Sequence, residues 1–235
     1  MPTTTTTTAA DVVEGVRRTL EDVFEAVAAA RDRTAPLAAT ARTAGRALIT
    51  ADLAALRPLL HAQLSAHRDL ISGAGFIAEP GLLGDVPAWL EWWQTGRDGE
   101  LRPLLLDLDP ATSAYSDYTH WDWFALPRAN GQRAVAGPYV DYLCSDEYSL
   151  TLSVPVYDNG RFLGVAAADV YLRHFEAVVM PLLRRLPGPA CLVNARGRVA
   201  ASTDARRLAG SLLKGPVAGV PCGEIPLVLV TAAPG

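Results

Sequence analysis

Between Ser116 and Tyr171 the chain concentrates the side chains that could do chemistry. Tyr118, Trp121, Trp123 and Phe124 form an aromatic cluster, Tyr139 and Asp141 follow two apart in a β-type segment, and Asp169 interrupts the apolar run Gly164-Val165-Ala166-Ala167-Ala168-Asp169-Val170. An acid among small apolar residues needs a partner, either a donor within the fold or one supplied by a ligand. Two carboxylates beside ring faces suit a cation, which the acids meet by charge and the rings by their quadrupoles. Each acid has a competing reading. Asp169 could cap a helix beginning at Tyr171, and Asp141 could belong to a solvated loop edge with Asp146 and Glu147.

Other chemistries find fewer residues to stand on. His120 with Asp122 falls below the ligand count of a stable transition-metal site. No Gly-x-Ser-x-Gly elbow, phosphate-cradling Gly-x-x-x-x-Gly-Lys loop or paired-cysteine motif occurs. We therefore expect no metal, no cofactor and no enzymatic activity. Trp92 and Trp93 are adjacent and must point to opposite faces of a strand; Trp89 and Trp92 are assigned to the core.

The elements that must position these residues follow from periodicity. Val12, Val13, Val16, Leu20, Val23, Phe24 and Val27 form one stripe of an amphipathic helix over 9–30, with Thr8 and Asp11 both suited to its start. A second helical stretch runs from Leu37 to about Leu70, with Asp52 as a possible cap near a break at Thr50. Strands are expected over 74–79, 89–94 and 101–108. Leu150, Leu152, Val154 and Val156 alternate with Ser149, Thr151, Ser153 and Pro155, and Asp158-Asn159-Gly160 then turns the chain back through Arg161 to Val170 as a hairpin. On the return strand Asp169 shares a face with Leu163, Val165 and Ala167. A helix over 171–185, broken or kinked at Pro181, leads to a small second sheet built from 191–194, 199–202 and 225–231. That sheet is too short for a core of its own and should lean on the first.

The chain has 235 residues, half of them hydrophobic, with net charge −4 and a pI near 5.6. A core of one substantial domain, or of a large and a small one, is affordable at this length. Clustered Lys and Arg, which phosphate contacts require, are missing, so nucleic acid is an unlikely partner in the physical sense that nothing would hold it. Cys144, Cys191 and Cys222 read as reduced thiols. No secretory leader and no apolar run long enough to span a membrane is present, and cytoplasmic residence is the expectation.

With that order of elements, three motifs resemble the double Cache sensor domains, the extracytoplasmic ligand-binding domains of bacterial chemoreceptors and sensor kinases. They are the stretch from Tyr118 to Phe124, Gly137-Pro138-Tyr139-Val140-Asp141, and the hairpin from Ser149 to Val170. The resemblance implies an α+β fold in which long N-terminal helices pack on a PAS-like antiparallel sheet, with a smaller second α/β module at the C-terminus. It divides the chain into a helical region (1–70), a ligand-binding module (71–186) and a small second module (187–235). In amino-acid-binding members an Arg precedes the two aromatics; Trp121 occupies its place here, while Tyr139, Asp141 and Asp169 match the residues that hold an ammonium group. Indole offers one N–H where guanidinium offers a fork. The expected ligand is accordingly an amine, with an amino acid as the alternative, in a pocket walled by Tyr118, Trp121, Trp123, Phe124, Tyr139, Asp141 and Asp169. Members of that family normally sit between two membrane helices; with none found in this sequence, the chain is expected to be a free-standing cytoplasmic version that signals through a partner such as a transcriptional regulator. A rival reading is an interaction protein with a vestigial pocket and a homodimer seam along Val12–Val27.

Overall fold

A computed structural model describes residues 7–96, 98–109, 111–112, 115–141 and 147–231. Cys144 and Asp146 lie outside the described residues. Helix α1 spans Ala9–Thr43. Thr8 and Asp11 share its start: the Thr8 hydroxyl accepts the Asp11 backbone N–H at 3.2 Å while the Asp11 carboxylate accepts the Thr8 N–H at 2.8 Å, a reciprocal capping box. The helix does not end near Ala30. Thr34, Ala38 and Ala41 continue the buried stripe, and that tertiary packing carries the helix past Pro36. Helix α2 (Thr50–Leu53), one 3₁₀ turn (Ala54–Leu56) and α3 (Arg57–Ala66) follow. Asp52 accepts the Ile49 N–H at 3.0 Å and so caps α2 from inside its first turn.

The main sheet comprises β1 (Ile71–Ala78), β2 (Leu90–Thr95), β3 (Leu101–Pro103), β4 (Ala134–Asp141), β5 (Glu147–Asp158) and β6 (Arg161–Tyr171). Their order is β3-β2-β1-β6-β5-β4, antiparallel throughout. Strand β3 is shorter than its apolar pattern suggests, and its pairing with β2 closes just past Pro103 with a bond from the Leu104 N–H to the Trp92 carbonyl at 3.0 Å. Residues 104–109 instead run on as an extended strap. Asn159 and Gly160, with φ of 48° and 77°, close the β5–β6 hairpin.

Helix α1 covers one face of this sheet with β5, β6 and β1 beneath it. Helix α4 (Asp122–Asn130) and the strap cover part of the other. Helix α5 (Leu172–Leu183) contains Pro181 in its last turn and leads to the second sheet of β7 (Ala190–Asn194), β8 (Val199–Ser202), β9 (Val220–Cys222) and β10 (Ile225–Thr231), in the order β8-β7-β10-β9. β9 is a short edge strand containing Pro221, and its three residues carry no periodicity to announce it.

The small sheet leans on the rest as expected. α1 packs against β9, β10 and α5 as well as the main sheet, and Asn194 donates from Nδ2 to the Gly137 carbonyl at 2.7 Å. This arrangement corrects the expectation of a dimer seam along Val12–Val27. Val12, Val16, Leu20, Val23, Phe24 and Val27 are all buried within the chain itself, so that stripe has no area left for a second copy. Cys191 and Cys222 are buried free thiols.

Candidate functional site

The site forms where the main sheet departs from regular alternation. Near the hairpin turn Tyr157 pairs with Phe162, but beyond it Val156 pairs with Gly164, so Leu163 is an extra residue. Without this bulge the register of the turn would continue as Leu150 opposite Asp169. With it, Asp169 lies opposite Thr151 and faces away from α1. Only glycine serves at position 164, where a Cβ would meet the Ile77 carbonyl oxygen at 2.1 Å. The bulge also corrects the expected face of β6: Val165 and Ala167 do share a side with Asp169, whereas Leu163 packs in the α1 core.

On that side the two central strands present mostly small residues. Gly73 and Gly75 of β1 lie opposite Asp169 and Ala167; Gly73 makes room for the Trp92 indole, and a hollow lies beneath α4 and the strap. Its walls are Ile77, Leu90, Trp92, Leu104, Leu106, Trp121, Trp123, Tyr139, Asp141, Thr151, Ala167 and Asp169. This partly open hollow has a free volume of about 20 Å³, enough for one water. Five of the seven residues singled out in the sequence thus meet here. Tyr118 and Phe124 stand behind the wall: the Tyr118 hydroxyl donates to the Ala78 carbonyl at 2.8 Å, and its ring packs edge-on against Phe124 at 5.2 Å between centroids. Trp121, at the cap position of α4, lies 5.4 Å from the Tyr139 ring.

Both acids are buried, Asp141 4 % and Asp169 6 % exposed. The competing reading of Asp141 as a solvated edge is thereby removed. Helix α5 has no side-chain cap at its start, so Asp169 does not serve there either. Its Oδ1 accepts the Thr151 hydroxyl at 2.6 Å, and the Tyr139 hydroxyl lies 2.5 Å from the same Thr151 oxygen. Since Thr151 has one proton and gives it to Asp169, Tyr139 is the donor to Thr151. Burial drives the Asp169 pKa up to about 8, the neighbouring Asp141 charge adds to the rise, and the Thr151 hydrogen bond opposes it.

Two contributors escaped the sequence reading. Thr151 was visible only as one of the hydroxyls alternating along β5, a pattern of a polar outer face. Ser149, Thr151 and Ser153 are in fact buried, and Ser153 anchors α4 by donating to the Trp123 carbonyl at 2.6 Å. Trp92, assigned to the core, is indeed buried in it and also lines the hollow. Alternation already separates it from Trp93, whose Nε1 donates to Glu91 on the other side at 3.0 Å; the face of the site was what the sequence could not choose. His120 and Asp122 are drawn apart, His120 toward Asp117 at 3.8 Å and Asp122 to Arg196 at 2.8 Å. Among the described residues no cluster of three metal-ligating side chains occurs.

Residues 103–177 match the family described as the first PDC sensor domain of methyl-accepting chemotaxis protein-like proteins. No curated protein matches the chain. Among solved structures, the ligand-binding domain of the Pseudomonas aeruginosa PAO1 amino acid chemoreceptor PctC, in complex with GABA, is similar at 21 % identity and TM-score 0.58, over 93 % of this chain and 92 % of that one. The ligand-binding domain of the Campylobacter jejuni chemoreceptor Tlp3, in complex with 4-methylisoleucine, is 18 % identical with TM-score 0.58, over 88 % and 72 % respectively. The extracellular domain of the putative histidine kinase mmHK1S-Z3 is 19 % identical with TM-score 0.53, over 77 % and 64 %. The fold is that of these double-module sensor domains. The expectation of cytoplasmic residence is overturned by the same matches, which are receptor ligand-binding domains and an extracellular kinase domain. The expectation leaned on the lack of a long apolar run in the sequence, which does not tell one side of a membrane from the other. Among the described residues no helix is long and apolar enough to cross one.

Proposed function

We propose that this chain is a non-catalytic sensory domain that binds a small ammonium-bearing molecule in the hollow beside Asp169, and that an amino acid is its ligand class. One observation carries the reading: Asp141 and Asp169 are buried together under aromatic rings, with no Lys or Arg among the described residues that line the hollow. Ionising Asp169 in this desolvated space beside the Asp141 charge is costly, and an ammonium relieves that cost. The magnitudes favour the acids over the rings as the main source of affinity. A micromolar ligand requires about 8 kcal/mol, whereas each ring contributes roughly 0.5–2 kcal/mol. At 4 Å an ion pair is worth about 4 kcal/mol before desolvation, and folding has already removed water from Asp169.

The amino-acid class is supported by the neighbours bound to GABA and 4-methylisoleucine. A plain amine is a second reading, favoured by Trp121 at the position where the resemblance places a carboxylate-binding Arg. Either ligand is larger than a 20 Å³ space, so the hollow has to widen on entry, and the strap that carries Leu104 and Leu106 is the segment we infer to give way. The exposed Leu105 between them leaves the strap free of packing on its outer side.

Calorimetry with L-valine, GABA and isobutylamine, on the wild type and Asp169→Asn, tests the proposal. We expect binding of one or more of the three and at least a tenfold loss in the variant. Affinity unchanged by Asp169→Asn would sink the site. Tighter binding of isobutylamine than of L-valine would move the ligand class to amines.

A further inference from the structure

The acids account for one end of a ligand, and one further polar atom in the hollow has no use in the folded chain. Trp92 is 4 % exposed and its Nε1 has no hydrogen-bond partner. The same strand satisfies its other indole, since Trp93 Nε1 reaches Glu91 at 3.0 Å. A buried donor left unpaired is costly and rare. Its position is equally specific. The Trp92 indole lies across Gly73, with Nε1 2.9 Å from where a Cβ of that residue would stand. Gly73 is in turn the cross-strand partner of Asp169, so the free N–H and the carboxylate occupy adjacent places on the floor of the hollow.

We propose that Trp92 Nε1–H is the specificity-determining anchor for a hydrogen-bond acceptor on the ligand, and that the ligand carries this acceptor one or two carbons from its ammonium group. This rests on the reading of the hollow as an ammonium site and deepens it. An ammonium against Asp169 places the neighbouring substituent over Gly73, where the indole N–H waits. α-Amino acids meet this demand through a carboxylate oxygen and β-amino alcohols through a hydroxyl. A plain alkylamine leaves the donor unsatisfied. The indole N–H thus gives a single directed bond where an Arg would give a fork, and it discriminates by the presence of an acceptor more than by its charge.

The test uses three related probes, L-valine, L-valinol and isobutylamine, the last of which lacks the acceptor-bearing carbon, titrated into the wild type and Trp92→Phe. The substitution keeps a ring and removes the donor. We expect Trp92→Phe to weaken L-valine and L-valinol about 5- to 15-fold, the loss of one hydrogen bond, and to change isobutylamine less than about twofold. Equal weakening of all three probes, or of none, overturns the assignment. Indole ¹⁵N–¹H spectra of the wild type give a second readout independent of the variant's folding. The Trp92 resonance is expected to move downfield with L-valinol and to stay in place with isobutylamine, and the same response to both overturns the proposal. A wild type that binds none of the three overturns the ammonium reading itself, and this inference with it, a result distinct from the other two.

Discussion

Asp169→Asn should stabilise the empty domain above neutral pH while it removes ligand binding. Burial and the Asp141 charge raise the Asp169 pKa to about 8, against about 3.9 in an unfolded chain. Between those values the folded state keeps a proton that the unfolded chain has released. The stability linked to this group is therefore full below about pH 4 and is lost as the pH rises through about 8. Each pKa unit corresponds to about 1.4 kcal/mol, so the whole interval has an upper bound of about 6 kcal/mol. Relaxation and water entry at a buried charge reduce it to about 1–2 kcal/mol at pH 8. The asparagine amide keeps an acceptor for the Thr151 hydroxyl and carries no charge toward Asp141. For a domain of this size the variant should then melt about 2–8 °C above the wild type at pH 8 and within about 1 °C of it at pH 5. Thermal melts of both proteins from pH 4.5 to 8.5 measure the difference directly, because contributions from the other acids cancel. A difference that does not change with pH, or a variant that melts lower at pH 8, refutes the reasoning.

Three other outcomes follow from the same geometry. An ammonium ligand must drive the proton from Asp169, so binding near pH 6.5 should release up to one proton; binding enthalpies that are the same in phosphate and in Tris would contradict this. Tyr139→Phe removes the donor that holds the Thr151 proton on Asp169 and should weaken ligand about 3- to 10-fold with the fold intact, read by calorimetry and circular dichroism. Arg57→Ala should destabilise the domain by about 2–3 kcal/mol in urea unfolding, because Glu91 is 3 % exposed and takes its charge partner from Arg57 Nε at 2.8 Å; Glu91→Gln in the same background should recover part of that loss.

How legible the site was depended on the range of the interactions that build it. The capping pair Thr8 and Asp11, the stripe along α1 and the Asn159-Gly160 turn were readable because each involves residues a few positions apart, whose geometry the local backbone dictates. The α+β order and the five site residues Trp121, Trp123, Tyr139, Asp141 and Asp169 were readable as types in sequence. The continuation of α1 beyond Ala30 was not readable, since the packing that carries it past Pro36 comes from strands more than a hundred residues away.

Residue types and local periods determined the leading helix, the β5–β6 hairpin and the presence of acids and rings suited to a cation, while the packing of helices on an antiparallel sheet was what the family resemblance implied. Which side each of them faces was decided only in three dimensions. The bulge at Leu163 turns Asp169 toward Thr151 instead of toward α1, and two glycines on β1 let Trp92 lie across the floor it leaves. A side chain's face follows the register of its strand, register follows contacts between strands distant in sequence, and a shift of one residue reverses it.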